Sequence, residues 1–391
     1  MNRIWNVVAV GIAALGFSAV GAGPDRAVIE TAAKTRLSEM DGTPGSLVGV
    51  KVGDAEPVFF ALGSIDKEAT APMTLDRPMR IASATKPFLG NLILLLADEK
   101  KLSLDDPISK YVEGVPQGEK ITLRMLGNNT SGVFNSIADK DFREAIAAAP
   151  AKEWTASEIL AYAFKQSPTA EPGAKWSYSN TNAVLLGEVV KKVTGRTWQE
   201  EMAMRVLEPL KLSHTGAGEP STSKHGAGFT FPKAYRYARA GAPVNYGDQW
   251  IDASAFSSSW AGAAGSMYST VGDLVIATEP LATGKLLSER GKSELHKWVD
   301  TGHVSSASPH SKAEPIYYGF CIGKRALDDR SWMGHTGDVP GYSSFMVYEP
   351  TSRTTVVVLA NLSNTRYRLT PAEEIGEAII AAMKTESKDE K

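Results

Sequence analysis

Between Asp25 and Met40 the apolar residues Val28, Ile29, Ala32, Ala33 and Leu37 recur at helical spacing, and the stripe ends at Gly42 and Pro44. The period then shortens. Ser46 to Val52, with Val48 and Val50 alternating, and Pro57 to Leu62 read as two strands joined by a turn at Gly53 and Asp54. Met79 to Ser83 reads as a short extended approach to a Leu- and Ala-rich helix over Lys86 to Glu99. From about residue 101 to 299, helical stretches such as Trp154 to Lys165 and Asn182 to Thr194 alternate with Pro-, Gly- and Ser-rich loops. Strand patterns return at Ser343 to Tyr348 and Thr354 to Asn361 around a turn at Pro350 to Arg353, followed by a helix over Ala372 to Lys384. Strands at both ends of a chain can close into one sheet covered by the terminal helices. The expected fold is α/β: an antiparallel sheet lobe from about 23–100 and 300–391, with an inserted, mainly helical lobe at about 101–299. The charged tail after Thr385 is expected to fray.

Composition narrows the function classes. At 391 residues the chain can bury a large core, and a net charge of -2 without a basic stripe excludes an electrostatic nucleic-acid binder. Residues 1–22 differ from the rest: Arg3, a short apolar stretch from Ile4 to Val20, and the small residues Gly21 and Ala22 read as a secretory signal peptide. A periplasmic or secreted protein with no stable membrane span after cleavage is expected. Cys321 is the single cysteine, so an internal disulfide is impossible and the thiol is read as a small core residue.

A serine hydroxyl needs a neighbouring base to act as a nucleophile, and a lysine three residues later on a helix shares its face. Ser-x-x-Lys occurs three times. Ser64 to Lys67 falls in a turn after a strand, and Ser221 to Lys224 lies in a polar loop; neither has a helical frame. Ser83-Ala84-Thr85-Lys86 alone stands where an extended approach enters a long apolar helix, which places the serine amide where free N–H groups can hold an oxyanion. Tyr178-Ser179-Asn180 is the single Tyr-x-Asn of the chain. His-Thr-Gly occurs twice: His214 to Gly216 follows a helix end and reads as structural, whereas His335-Thr336-Gly337 precedes the late strands.

In this order, Ser83-x-x-Lys86, Tyr178-x-Asn180 and His335-Thr336-Gly337 resemble the three motifs of the serine DD-peptidases and class C β-lactamases. The likeness runs from about Pro44 to Asn361, and Leu123 to Gly132, Trp260 to Asp273 and Tyr318 to Phe320 also read like family segments. The resemblance implies an acyl-enzyme on Ser83, with Lys86 or Tyr178 as base and the phenol made more acidic by Lys86. It also implies that Asn180 holds Lys86 and a substrate amide, that Trp260 lines an acyl pocket, and that His335, Thr336 and Gly337 form an edge strand, with Gly337 open to close substrate approach. The amides of Ser83 and Asp338 would hold the oxyanion. No metal or organic cofactor is required, and no His-Glu-x-x-His cluster or Gly-x-Ser-x-Gly elbow is present.

The expected substrate is a peptide or small amide or ester. D-Ala-D-Ala carboxypeptidase-like peptide hydrolysis stands first, with a carboxylesterase, a β-lactamase and a noncovalent or slowly acylated peptide- or penicillin-binding sensor as alternatives. His335 replaces the lysine with which β-lactamases of this type meet a carboxylate. Asp338 replaces a hydroxyl residue, and its charge would repel a terminal carboxylate unless it turns away and Lys324 or Arg325 compensates.

Overall fold

The computed structural model describes residues 23–218, 230–238, 249–304, 314–367 and 370–389. The segment read as a signal peptide and the Ser221 to Lys224 copy of the serine motif lie outside the described residues. The strands are β1 (Gly45–Val52), β2 (Val58–Gly63), β3 (Met79–Arg80), β4 (Gly216–Ala217), β5 (Tyr235–Ala238), β6 (Gln249–Asp252), β7 (Met267–Ser269), β8 (Val299–Val304), β9 (Pro315–Tyr318), β10 (Gly323–Leu327), β11 (Arg330–Val339), β12 (Tyr342–Glu349) and β13 (Thr354–Ala360).

An eight-stranded sheet has the order β2-β1-β13-β12-β11-β10-β9-β8, and each of its pairings is antiparallel. The two ends of the chain meet in it, with Ser46 opposite Ala360 and Val52 opposite Thr354. Both faces are covered, which is why β13 is buried along its whole length. Val356, Val358 and Ala360 face the terminal helices Arg26–Glu39 and Pro371–Asp389, against Ile29, Ile375 and Ile379. Val357 and Leu359 face the other way, into the core around the helix Thr85–Asp98. The C-terminal helix continues to Asp389 rather than fraying after Thr385, because the Glu- and Lys-rich tail retains good helix formers.

Thr85–Asp98 is buried over nearly every face, as its Leu- and Ile-rich composition requires. Pro87 is tolerated because it lies in the first turn, where amides have no intrahelical partner. The stretch between residues 101 and 299 carries helices such as Ala156–Phe164 and Asn180–Thr194, together with the short strands β4 to β7. Thr215 of the first His-Thr-Gly donates to Asp273 Oδ2 at 2.8 Å, and the His214 amide reaches the same oxygen at 2.8 Å. That copy pins a loop to the helix Val271–Thr283.

Candidate active site

Strand β3 leads through Ile81 into a single 3₁₀ turn, Ala82–Ala84, and then directly into the helix Thr85–Asp98. Ala82 takes φ +50°, a conformation that costs a residue with a Cβ on the order of 1 kcal/mol or more. That bend presents Ser83 in a half-open position at the helix start, while Ala82 and Ala84 are buried. Strand β11 lies against the turn. A Cβ on Gly337 would stand 2.3 Å from Ile81 O, 2.4 Å from Ser344 Oγ and 2.9 Å from Ala82 Cβ. The expectation that Gly337 leaves room for substrate is therefore corrected: its missing side chain makes room for the turn that carries Ser83.

Lys86 Nζ lies 2.9 Å from Ser83 Oγ, 2.8 Å from Asn180 Oδ1 and 2.8 Å from the carbonyl of Ala264. Tyr178 OH donates to Ser83 Oγ at 3.1 Å. Lys86 is only 2% exposed, and burial brings its ammonium down to about 7, so a large share is the free amine at neutral pH. Burial acts on Tyr178 in the opposite sense. Its phenol is raised above the usual range although Ser83 partly offsets the rise, so the expectation of a more acidic Tyr178 is corrected. Tyr178 is a proton donor in the resting site.

The sequence Tyr178-Ser179-Asn180 is held by Asn129 and Ser131, from the family-like segment Leu123 to Gly132, and by Asn135, to none of which the sequence assigned a role. Asn129 Oδ1 accepts from the Ser179 amide at 3.1 Å and from Asn182 Nδ2 at 2.8 Å, while Asn135 Oδ1 takes the Asn180 amide at 3.1 Å. Ser131 closes the clamp on Asn182 Oδ1 at 2.7 Å. These bonds set the start of the helix Asn180–Thr194 and so aim both Tyr178 and Asn180.

His335 sits 3.1 Å from Tyr318 OH through Nε2 and 2.6 Å from the carbonyl of Thr336 through Nδ1. That carbonyl can only accept, so Nδ1 carries the proton and Nε2 accepts from the tyrosine. Burial first, then the nearby Lys86 charge, lowers the imidazole to about 3, so His335 is neutral across the working range. It packs edge to face on Tyr318 with ring centres 5.9 Å apart, and Tyr178 lies 6.1 Å away. Tyr318, from the family-like segment Tyr318 to Phe320, thus joins the site through His335.

Thr336 is half-buried, and Asp338 is exposed at the strand edge. The protein mass around the cleft raises the Asp338 carboxyl above its usual range, and Arg236 of β5 opposes the rise. Of the two cations expected to compensate Asp338, Arg325 is taken up by two glutamates, whereas Lys324 is held over aromatic faces. Arg325 pairs with Glu373 at 2.6 Å and Glu377 at 3.3 Å, and Lys324 Nζ lies over the rings of Tyr317 and Trp298 at 4.8 and 5.0 Å. Trp260 is half-buried in the segment Ser259–Ala264, which packs against the Ser83 turn and supplies the Ala264 carbonyl to Lys86. Cys321 is buried behind the site with its thiol pushed up to about 12 by burial, consistent with an inert core residue. Among the described residues no group of three or more His, Cys, Asp and Glu could hold a metal ion, and no helix is long and apolar enough to cross a membrane.

The sequence profile of the Beta-lactamase family matches residues 31–379. The chain belongs to the Beta-lactamase family. Its fold is that of serine hydrolases of this family. A D-stereospecific amidohydrolase from Streptomyces sp. superposes with a TM-score of 0.76 at 28% identity, covering 91% of this chain and 98% of the other. A D-amino acid amidase from Ochrobactrum anthropi SV3, solved with L-phenylalanine amide, gives 0.75 at 25% identity, covering 92% and 99%. Protein flp of Staphylococcus aureus (strain N315) is 26% identical over 315 residues, which is 78% of this chain but 56% of that protein. The chain thus spans little more than half the length of this relative.

Proposed function

We propose that the protein hydrolyses amide bonds through an acyl-enzyme on Ser83, and that its substrates carry no carboxylate on the leaving side. The observation that carries this reading is the double contact on Ser83 Oγ, from a buried Lys86 Nζ at 2.9 Å and from Tyr178 OH at 3.1 Å. The neutral Lys86 amine takes the serine proton as Oγ attacks the carbonyl carbon. The backbone amides of Ser83 and Asp338 receive the developing oxyanion. Tyr178 gives its proton to the leaving nitrogen, the C–N bond breaks, and Lys86 returns a proton to the phenol. Water then attacks the ester by the reverse relay, releasing the acid and restoring the Ser83 hydroxyl.

The leaving-group preference follows from charge. Asp338 is exposed on the strand edge whose amide would take the oxyanion; its carboxyl, raised to about 7 with Arg236 acting against the rise, carries its full charge above that pH, while His335 is neutral and Arg325 pairs with two glutamates. Two like charges about 4 Å apart repel by about 1 kcal/mol even in water, and by more as water is excluded. A terminal carboxylate is therefore disfavoured, which sets an amidase or aminopeptidase ahead of a D-Ala-D-Ala carboxypeptidase. The amidohydrolase and amidase relatives support the same preference. The amino-terminal Arg3 and apolar Ile4 to Val20 support export, which a processed amino terminus in a secreted or periplasmic fraction would test.

The substrate class is tested by measuring kcat/KM for D- and L-alanine amide, D- and L-phenylalanine amide, a D-Ala-D-Ala peptide and a short-chain nitrophenyl ester. At least one amide is expected to exceed the D-Ala-D-Ala peptide by fivefold or more. Faster cleavage of the D-Ala-D-Ala peptide would refute the charge argument, and turnover of the ester alone would refute amide hydrolysis.

A further inference from the structure

Tyr178 and His335 also form one side of a pocket of about 270 Å³ whose other walls include Trp176, Ile316, Tyr318 and Trp332. The pocket opens where the sheet parts: β10 pairs with β11 from Leu327 opposite Arg330 to Gly323 opposite Gly334, and β11 then continues to Val339. Its floor includes Gly334, His335 and Thr336, whereas the amide assigned to the oxyanion belongs to Asp338, further along the same strand. An acyl group held at Ser83 and Asp338 therefore has its leaving atom toward Tyr178, and whatever is attached to that atom meets this pocket next.

The chemistry of the walls selects the occupant. Trp176 and Ile316, both half-buried, and the edge of Tyr318 offer apolar surface over the buried Trp332, and the volume suits one aromatic ring with a substituent. The charges beside it balance, Lys324 and Arg325 against Glu373 and Glu377, with the Lys324 ammonium over two aromatic faces. Nothing there calls for an anion. Two wall residues nevertheless carry buried N–H donors without a hydrogen-bond partner, Trp176 Nε1 and Arg325 Nη2. Buried donors of this kind favour an occupant that brings an acceptor atom.

We infer that this pocket is a leaving-group subsite that prefers an uncharged aromatic amine carrying a hydrogen-bond acceptor. The inference rests on the Ser83 acyl-enzyme reading. In the step concerned, the anilide C–N bond breaks, the acyl carbon stays on Ser83 Oγ, and the arylamine nitrogen takes the Tyr178 proton.

The test compares kcat/KM for the amide, anilide and 4-nitroanilide of D- and L-alanine in the wild type, Ile316→Trp and Trp176→Phe. A fluorophosphonate, whose fluoride leaving group makes no use of the pocket, is used in parallel to label Ser83 in each protein. Filling the pocket with Ile316→Trp is expected to lower the anilide-to-amide ratio about tenfold or more, while Ser83 still labels. Trp176→Phe removes one donor and is expected to reduce the preference for the nitro-substituted over the plain ring by about 3- to 10-fold, the worth of one hydrogen bond. Labelling with no change in either ratio, or with cleavage of the plain amide alone or of none of the three, would overturn the subsite and leave the acyl-enzyme intact. Absence of labelling in the wild type would remove the acyl-enzyme reading, and the subsite with it.

Discussion

Replacing Asn180 by Asp should move the pH dependence of catalysis, because Asn180 Oδ1 sits 2.8 Å from Lys86 Nζ and the exchange adds a charge with little change in shape. Lys86 falls from 10.5 to about 7 because it is buried. That difference corresponds to roughly 5 kcal/mol between its protonation states, and at pH 8 it raises the free-amine fraction about 300-fold over an ordinary lysine. The base is the neutral form, so kcat/KM should fall as pH drops through about 7, approaching tenfold per unit below it. A carboxylate against the ammonium favours the charged form by about 1–3 pH units. Asn180→Asp should therefore carry the acid limb up to roughly 8–10 and cut the rate at pH 7 by about 5- to 500-fold, with partial recovery at high pH. Asp338 is also raised, so Asp338→Asn serves as the control and should leave the Lys86 limb in place. The assay is kcat/KM against pH for the best amide substrate in all three proteins. An unmoved limb in Asn180→Asp, or a limb lost in Asp338→Asn, would refute the assignment to Lys86. The same displacement affects stability: the unfolded chain binds more protons between about pH 7 and 10.5, so Lys86 makes folding less favourable as pH falls across that window, and the penalty is complete below about 7.

Other consequences can be checked with single variants. Tyr178→Phe removes the donor to Ser83 Oγ and should lower kcat by about 10²- to 10⁴-fold while retaining the acid limb near 7; steady-state kinetics across pH would show it. Gly337→Ala forces a methyl against Ile81 O and Ser344 Oγ and should cost about 1–3 kcal/mol in urea unfolding as well as activity, since it displaces the Ser83 turn. Asp338→Asn should raise kcat/KM for a D-Ala-D-Ala peptide relative to a simple amide by about fivefold or more, the worth of the repulsion removed.

The sheet was legible because β1 alternates at Val48 and Val50 and because β12 and β13 are short runs flanking a turn; the structure sorts Val48 and Val50 from Leu47 onto two buried faces. The choice of Ser83 among three Ser-x-x-Lys copies rested on the apolar helix behind it, and the structure places that serine against Lys86 and Tyr178. Other features leave no trace in a linear pattern. The carbonyl of Ala264 that takes Lys86 belongs to the backbone, so residue type does not report it. Asn129 and Asn135 look like ordinary loop amides until their bonds to Ser179 and Asn180 are known. Gly337 was assigned to substrate because the facing turn at Ile81 and Ala82 is more than 250 residues away in sequence. The direction of the Tyr178 shift depends on how deeply the ring is buried against how strongly Lys86 acts, a balance that spacing does not contain.

The most direct measurement is rapid-quench intact mass and peptide mapping during turnover of the best amide substrate, with Ser83→Ala beside the wild type. A transient mass increase equal to the acyl group is expected on the peptide containing Ser83, with loss of both adduct and turnover in Ser83→Ala. Turnover that persists in Ser83→Ala, or an adduct mapped to another residue, would contradict the Ser83 acyl-enzyme.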